Sequence, residues 1–537
     1  MGSNPIGSTS NRTNSSLQHQ SAGTGPDVTK ESKRPKARLP RGLIDVIDQD
    51  VTERQDMIDT ISGVYRRYGF QPLETPTLEY LDALGKFLPD VDAPGEGVFA
   101  LRDDDEEWLA LRYDLTAPLA RFVAQHRNDM TLPYRRYQVG PVYRQEKPGP
   151  GRFRQFYQCD FDTVGSRSMA VDAEACALLA ETLETLGIGA GGYEIRINNR
   201  KVLTGILAGA GVAAVGPDAS PGTDAEAEAL ARRSHVLRTI DKFDRVGLDG
   251  VRLLLGPGRK DESGDFSPGV GLDDDQIHQV VSFVTAGGDS RSEVLARLRS
   301  LVGDQAEGQA GVDELETIDK LLSAMGIESS QVVIDPTVVR GLDYYTGPVF
   351  EAVLTAGPLD STAGSDNEHR SFGSVAGGGR YDDLVRRFTG QDVPACGASI
   401  GVDRLLTALR SRTSLDSARS AGPVVVTVMD KDELVRYQTM VSELRAAGVA
   451  AELYLGSKGI GDQLKYADRR RSPLAVIAGS NEFADNTVVV KNLLYGKEVS
   501  QGISDRAAWL NAADVQHTVP RQGLVRAVSD LLRQLGQ

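Results

Sequence analysis

The chain has 537 residues, which is enough for about three to four domains of ordinary size. Hydrophobic residues make up 40% and charged residues 25%, as in soluble globular proteins, and no window approaches the ~18 consecutive apolar residues of a membrane span. The net charge of −15 argues against a chain that coats nucleic acid everywhere. A local basic surface that binds phosphate groups is still compatible with this charge.

The cysteines and histidines give no sign of a structural metal or a disulfide framework. Cys159, Cys176 and Cys396 are odd in number, far apart and without a CxxC spacing. The six histidines show no metal-ligand spacing either. We therefore predict a cytoplasmic protein in a reducing compartment, without zinc and without contact with a membrane.

Residues 1–38 are rich in Ser, Thr, Asn, Gly and Gln and have few large apolar side chains. Such a segment cannot bury enough surface to offset its ordering entropy, so we predict a disordered tail. An organelle transit peptide and a start codon placed too far upstream are the alternatives. A secretory signal is excluded because there is no apolar h-region.

The next elements alternate between helix and hairpin. Apolar residues at helical spacing from Leu43 to Val64 predict an amphipathic helix. Two strand-like runs then flank the acidic segment 103–107, which we interpret as a solvated hairpin turn. A second hairpin is marked more clearly, because residues 134–146 and 152–165 are rich in Tyr, Phe and Val and a Gly- and Pro-rich turn separates them.

Two changes of composition divide the remaining chain. Residues 200–329 have Ala, Leu, Asp, Glu and Arg at helical spacing and no catalytic cluster, which predicts an inserted helical domain. Strand-like sequence resumes over 330–412. After a linker rich in Ser and Arg, strands alternate with helices over 422–537, which predicts a small α/β domain with a largely parallel sheet.

One predicted strand has an unusual polar face. Since side chains alternate along a strand, one face receives Arg152, Arg154, Phe156, Gln158, Asp160 and Asp162. This order suits an elongated ligand with a phosphate end, a flat ring and an ammonium or imidazole end. A lone strand of this kind is more often half-exposed surface, and at ~3.3 Å per residue the six side chains reach one small ligand only if the strand bends.

Several segments resemble class II aminoacyl-tRNA synthetases. "GPVYRQEKPGPGRFRQFYQCDFD" resembles their motif 2, "GASIGVDRL" their motif 3 and "FQPLETPTLE" their motif 1. "RGLDYYTGPVFE" and "AGGGRYDDL" are similar to two signatures of histidyl-tRNA synthetases, and residues 446–479 resemble that family's anticodon-binding domain. The order of the motifs carries the resemblance, since a Gly-rich loop such as Gly377–Gly379 is by itself more often a turn.

The resemblance implies an α/β (α+β) fold. Residues 39–199 and 330–412 would form a class II catalytic core with a mixed, mostly antiparallel sheet, interrupted by the helical insertion at 200–329. Residues 422–537 would form a C-terminal anticodon-binding domain. The implied function is histidine–tRNA ligase: ATP activates L-histidine to histidyl-adenylate, which is transferred to the 3′ end of tRNA(His). The resemblance also implies Mg²⁺ on the ATP phosphates and a homodimer joined partly through motif 1.

The same resemblance assigns roles to individual residues. Arg144 and Arg340 would hold the α-phosphate, where fixed guanidinium groups stabilise the charge of the transition state. The other implied ATP-binding residues are Glu146, Arg152, Phe156 and Arg404. The implied histidine-binding residues are Asp114, Thr116 and Gln158 at the ammonium, and Asp162 and Tyr345, with Tyr344 beside them, at the imidazole. Lys458, Lys465, Arg469 and Arg470 form a basic cluster suited to tRNA phosphates.

The chain departs from the common bacterial pattern in two places. Gly149 stands where the motif 2 loop has a glutamine near the extra 5′ guanosine of the tRNA, and "LRYDLT" replaces "LRPEGT". Our hypothesis is that recognition of the acceptor end differs from the common bacterial mode. We assign no function to segments 103–107 and 357–372.

Three alternatives remain. One is a non-catalytic, histidine-sensing regulatory subunit that shares the catalytic fold, and Arg340 and residues 422–537 count against it because such paralogues tend to lack both. The second is a tRNA-sensing domain of a larger kinase, although the chain contains no kinase segment. The third is a class II synthetase for another amino acid, which the "RGLDYY" segment disfavours.

Overall fold

The computed structural model describes residues 36–84, 97–149, 152–212, 224–260, 264–339, 341, 345–355, 373–412, 422–494 and 516–536. Most of the predicted tail (residues 1–35) and all of segment 357–372 lie outside these residues. The disordered tail therefore stays a prediction.

The chain up to Asn199 forms the first half of a large sheet and its flanking helices. The helix predicted from Leu43 begins later, at Gln49, because the preceding residue Asp48 has a φ of 48° and is not helical. The elements are α1 (Gln49–Arg67), β1 (Gln71–Pro72), β2 (Leu78–Tyr80), a 3-10 helix (Leu81–Leu84), β3 (Ala100–Arg102), β4 (Trp108–Leu111), α2 (Thr116–His126), β5 (Tyr134–Tyr143), β6 (Gln155–Val164), α3 (Met169–Thr185) and β7 (Tyr193–Asn199).

The stretch from Arg200 to Ala324 is mainly helical, and its described residues also form one small hairpin. Several helices begin at side-chain caps, as at Asp273, which accepts a hydrogen bond from the backbone N–H of Gln276 in a capping box. The elements are α4 (Arg200–Gly209), α5 (Asp224–Ile240), α6 (Phe243–Leu255), β8 (Gly258–Lys260), β9 (Phe266–Pro268), α7 (Asp274–Val284), α8 (Arg291–Val302) and α9 (Ala306–Ala324).

The chain then returns to the large sheet. Its elements are β10 (Val332–Ile334), β11 (Pro348–Leu354), β12 (Ser374–Arg380), α10 (Asp383–Thr389), β13 (Ala395–Gly401) and α11 (Val402–Arg412). The strand order is β1-β5-β6-β13-β12-β11-β7-β10, so the two halves of the chain interleave. Five antiparallel pairings lie between a parallel pairing at each edge. The predicted mixed, mostly antiparallel sheet is confirmed.

Both predicted hairpins are present. β5 and β6 pair antiparallel over ten residues each, and β3 pairs with β4 across the acidic turn. Gly377–Gly379, by contrast, lie inside β12 rather than in a turn. A Cβ on Gly378 would lie 2.3 Å from the carbonyl oxygen of Gly397 and 2.5 Å from the Phe350 ring, so only glycine lets these strands approach so closely.

The C-terminal region forms a separate sheet. Its elements are β14 (Val424–Val426), α12 (Leu434–Ala446), β15 (Ala451–Leu453), α13 (Ile460–Arg469), β16 (Leu474–Ile477), α14 (Ser480–Ala484), β17 (Thr487–Asn492), β18 (Gln516–Pro520), a 3-10 helix (Arg521–Gly523) and α15 (Leu524–Gln534). The strand order is β15-β14-β16-β17-β18. The prediction of a largely parallel sheet is wrong, because β16–β17 and β17–β18 pair antiparallel.

The two largest of the hydrophobic clusters formed by the described residues belong to different regions. The larger runs from α1 through the large sheet and continues into helices α4–α9, where it includes Val236 and Phe283. The next lies between the C-terminal sheet and α12 and α15, around Tyr437 and Met440. No helix among the described residues is both long enough and apolar enough to cross a membrane.

Candidate active site

A cavity of about 550 Å³ is lined by residues of β6, β11, β12 and β13, by the segment before α2 and by the start of α11. Strands β6 and β13 position its floor, because Gln158 pairs in register with Gly401 and Asp160 with Ser399. Nine of the predicted site residues line this cavity: Asp114, Thr116, Arg144, Glu146, Arg152, Phe156, Gln158, Tyr345 and Arg404.

Arg144 lies between two aromatic rings. Its guanidinium carbon is 4.4 Å from the centroid of the Tyr113 ring and 5.2 Å from that of Phe156. Its Nε donates a hydrogen bond to the carbonyl oxygen of Tyr113 at 3.3 Å. These contacts fix the plane of the guanidinium on the wall of the cavity.

Hydrogen bonds also fix the two other guanidinium groups that line the cavity, those of Arg152 and Arg404. Nε of Arg152 donates to Oε2 of Glu146 at 2.6 Å, and both side chains are partly exposed. Nη1 of Arg404 donates to the carbonyl oxygen of Ser374 at 2.9 Å. Three guanidinium groups around one cavity suit a ligand with several anionic oxygens.

Acidic and amide side chains also line the cavity. Asp114 caps α2, because its Oδ1 accepts the backbone N–H groups of Thr116 at 3.1 Å and Ala117 at 2.9 Å. Burial raises the pKa of the Asp114 carboxyl. Burial likewise raises the pKa of Asp160, to about 7, although Arg136 acts in the opposite direction. Because a nearby positive charge would stabilise their ionised forms, these two carboxyl groups suit a cationic group of a ligand.

The structure differs from the prediction at Asp162, which does not line the cavity. Its Oδ2 lies 2.7 Å from Nη2 of Arg136, and its Oδ1 accepts a hydrogen bond from the Tyr381 hydroxyl. The physical reason is that the Arg136 guanidinium is fully buried and requires a counter-charge beside it. Asp162 still acts on the site through its charge, which contributes to the raised pKa of Tyr345 after the larger effect of burial.

Some predictions fall outside the described residues, and some site residues escaped prediction. Arg340 and Tyr344 lie outside the described part of the chain. Sequence reasoning gave no role to Tyr113, Asp160 or Ser399, which line the cavity. The alternation of β6 already placed Asp160 on the polar face, so the signal for that residue was present.

The predicted basic cluster lies on and around α13 in the C-terminal sheet domain. Lys458, Lys465, Arg469 and Arg470 are all exposed. Arg470 is engaged, since its Nη2 is 3.2 Å from Oε2 of Glu452, and this hydrogen bond raises the pKa of Arg470. Nζ of Lys465 is 3.8 Å from Oδ1 of Asp462, at the limit of an ion pair.

The mixed sheet, with motif 2 on β5 and β6 and motif 3 at the junction of β13 and α11, defines a class II aminoacyl-tRNA synthetase. A family model described as histidyl-tRNA synthetase matches residues 42–219 and 269–405, and one described as anticodon binding domain matches residues 423–513. The chain belongs to the histidyl-tRNA synthetase family.

Individual relatives agree with this assignment. The chain is 58% identical to the histidine–tRNA ligase of Cereibacter sphaeroides and 54% identical to that of Ruegeria pomeroyi, over 94% of this chain and 99% and 98% of those proteins. It resembles the crystal structure of histidyl-tRNA synthetase from Nostoc sp. PCC 7120 with a TM-score of 0.67 and 28% identity, over 93% of this chain and 100% of that one. The predicted fold class, the enzyme class and the histidine–tRNA ligase function are confirmed.

Proposed function

We propose that this cavity carries out the activation step of the family's reaction, in which the carboxylate of histidine attacks the α-phosphorus of ATP. The observation that carries the proposal is the convergence of nine predicted residues, from distant parts of the chain, on one cavity of about 550 Å³. The cavity combines guanidinium groups with acidic, amide and hydroxyl side chains, the two kinds of group that an adenylate and an amino acid require.

At the ATP end, Arg144 binds the α-phosphate, Arg404 the other side of the nucleotide, and Phe156 stacks on the adenine. Negative charge spreads over the phosphate oxygens during the attack, and a fixed guanidinium stabilises this charge most in the transition state. Arg340 acts on the same phosphate. No general base is required, because the nucleophile is already a carboxylate.

Mg²⁺ enters with ATP as part of the substrate, since it binds chiefly through phosphate oxygens and water. The described residues contain no group of three or more side chains able to hold a metal ion. Glu146 is the predicted acidic residue at this end, where it also orients Arg152.

At the histidine end, Asp114, Thr116 and Gln158 bind the ammonium. Tyr345 hydrogen-bonds the imidazole, with Tyr344 beside it, and Asp162, held by Arg136 and Tyr381, acts on Tyr345 through its charge. An amino acid without the ring nitrogens would leave these buried polar groups unpaired. That penalty gives discrimination of about 10⁴-fold or more without an editing site.

The remaining proposals concern tRNA, assembly and location. The exposed cations at Lys458, Lys465, Arg469 and Arg470 bind the anticodon arm through its phosphates, supported by the anticodon-binding family match. The enzyme acts as a homodimer joined partly through motif 1. It works in the cytoplasm, where a reducing environment suits the three cysteines, which are free and buried.

Pyrophosphate exchange with each of the twenty amino acids tests the activation step. We expect exchange with histidine at least 10⁴-fold above any other amino acid. Exchange driven best by another amino acid would overturn the proposal.

Charging of tRNA(His) transcripts with and without the extra 5′ guanosine tests acceptor-end recognition, and strict dependence on that guanosine would contradict our hypothesis for Gly149.

A further inference from the structure

Two buried acceptor oxygens in the cavity have no hydrogen-bond donor within the described part of the chain. Oε1 of Gln158 and Oδ1 of Asp160 are buried and have no hydrogen-bond partner among the described residues. Both side chains line the cavity, and only 7% of Gln158 and 1% of Asp160 is exposed. Because they lie two residues apart on β6, they face the same side of the sheet. Buried acceptors without donors are costly, so a donor-rich ligand fits here.

The carboxyl groups of this region have guanidinium neighbours. Arg136 acts on Asp114, Asp160 and Asp162, and the charges of Arg112 and Arg144 also act on Asp160 and Asp114 respectively. Asp162 has Arg136 as an ion-pair partner, whereas Asp160 forms no ion pair among the described residues and hydrogen-bonds Ser399 on β13. A cation placed beside Asp160 would give its carboxylate such a partner.

The predicted ammonium ligand Asp114 is partly committed elsewhere. Its Oδ1 already accepts two backbone N–H groups as the cap of α2. An ammonium group has three N–H donors and no acceptor. Beside the acceptor oxygens of Asp114, Thr116 and Gln158, Asp160 offers a further buried oxygen on the same face as Gln158.

We propose that Asp160 is a further substrate-binding residue of the amino-acid site, and that its carboxylate accepts a hydrogen bond from the substrate ammonium beside Gln158. This inference rests on the proposed function, since it assigns a residue to the histidine end of the cavity. The charged and titratable groups that act on Asp160 from the surrounding elements are Tyr65, Arg112, Asp114, Arg136, Cys159, Asp162 and Tyr345.

Asp160→Asn tests the proposal, because it removes the charge and keeps the shape. The probes are two inhibitors of histidine-dependent pyrophosphate exchange: L-histidinol, which has the ammonium, and 3-(imidazol-4-yl)propanoate, which lacks it. We expect the inhibition constant of histidinol to rise about 10-fold or more in the variant, as for the loss of a charged hydrogen bond. The constant for the propanoate should change less than about 2-fold. Asp104→Asn, on the exposed acidic turn, is the matched control and should change neither.

The outcomes separate the two proposals. If the wild-type protein does not catalyse histidine-dependent pyrophosphate exchange, the proposed function is wrong, and this inference is wrong with it. If the wild-type protein catalyses the exchange but Asp160→Asn raises the inhibition constants of both inhibitors equally, Asp160 lies at the imidazole and this inference alone is wrong. An unchanged inhibition constant for histidinol would also contradict this inference alone. Circular dichroism checks folding, and Asp160→Ser provides the same comparison if the asparagine amide does not fit.

Discussion

The proposed active-site cavity and the basic surface of the C-terminal domain differ in how far their charged groups are exposed. Asp160 and Gln158 line the cavity and each has a buried oxygen without a partner among the described residues, and the nearby Arg136 is fully enclosed. On α13, Lys465 and Arg469 are exposed to solvent. Buried charges interact strongly because little water screens them, whereas exposed charges are screened. A small-ligand site can therefore depend on single residues, while a nucleic-acid surface has to distribute binding over many.

The largest expected effect comes from removing the buried cation. Arg136→Met leaves the Asp162 carboxylate and the Leu115 carbonyl oxygen without their guanidinium partner. We expect the free energy of unfolding of the catalytic region to fall by about 3–5 kcal/mol, as when one member of a buried ion pair is removed. Urea denaturation measures this change, and the transition of the separate C-terminal core should not move.

Arg135→Met is a matched control on the neighbouring residue of the same strand. Arg135 faces the opposite side of the sheet and pairs with Glu174, with about a third of each side chain exposed (32% and 29%). We expect a loss of about 1 kcal/mol or less. Equal losses in the two variants would show that burial does not set the strength of these pairs.

The next largest effect is catalytic. Arg144→Ala should lower kcat for histidine-dependent pyrophosphate exchange by about 10²–10³-fold, because it removes a fixed charge beside the reacting phosphate. The KM for histidine should change less than kcat, because the lost interaction is made chiefly in the transition state. Arg167→Ala is the control, as that arginine pairs with Asp392 on the surface. Near wild-type kcat in Arg144→Ala would remove its proposed role.

A smaller effect concerns stability and pH. The raised pKa of Asp160, about 7 against an ordinary value of about 4, means that the folded protein holds a proton that the unfolded chain releases between these values. This contribution to stability is complete below pH ~4 and is lost as the pH rises through about 7. Asp160→Asn does not titrate, so its stability relative to wild type should increase by on the order of 2 kcal/mol from pH 5 to pH 7. Thermal unfolding across this range checks the sign, and a decreasing difference would contradict it.

Local patterns in the sequence predicted much of the fold. The β5–β6 hairpin followed from its aromatic and β-branched residues, and the side-chain alternation of β6 brought Phe156, Gln158 and Asp160 to one cavity. The C-terminal sheet was harder, because strand direction depends on how distant segments pair. β17 and β18 are antiparallel neighbours, and alternation of strands and helices does not specify that.

The partners of the Asp162 side chain could not be predicted from the sequence. The strand pattern placed its side chain on the correct face, but not its partners, which come from β5 and from the end of β12. Whether a carboxylate faces a ligand or a buried arginine depends on tertiary packing at Arg136 and Tyr381. No residue spacing along one strand carries that information.

The smallest effects belong to the exposed cations of the C-terminal domain. We expect Lys465→Ala and Arg469→Ala each to raise the KM for tRNA by about 2- to 5-fold, because each contributes a screened phosphate contact. Arg470→Ala should have less effect, since its guanidinium is already bound to Glu452. Histidine-dependent pyrophosphate exchange should be unchanged in all three variants, as that reaction does not use tRNA. Arg533→Ala, an exposed arginine on α15, is the control.

Because screening weakens phosphate contacts, the differences in KM for tRNA between variants and wild type should shrink as the salt concentration is raised. An effect that persists at high salt would mean that these residues contact bases or support the fold rather than bind phosphates.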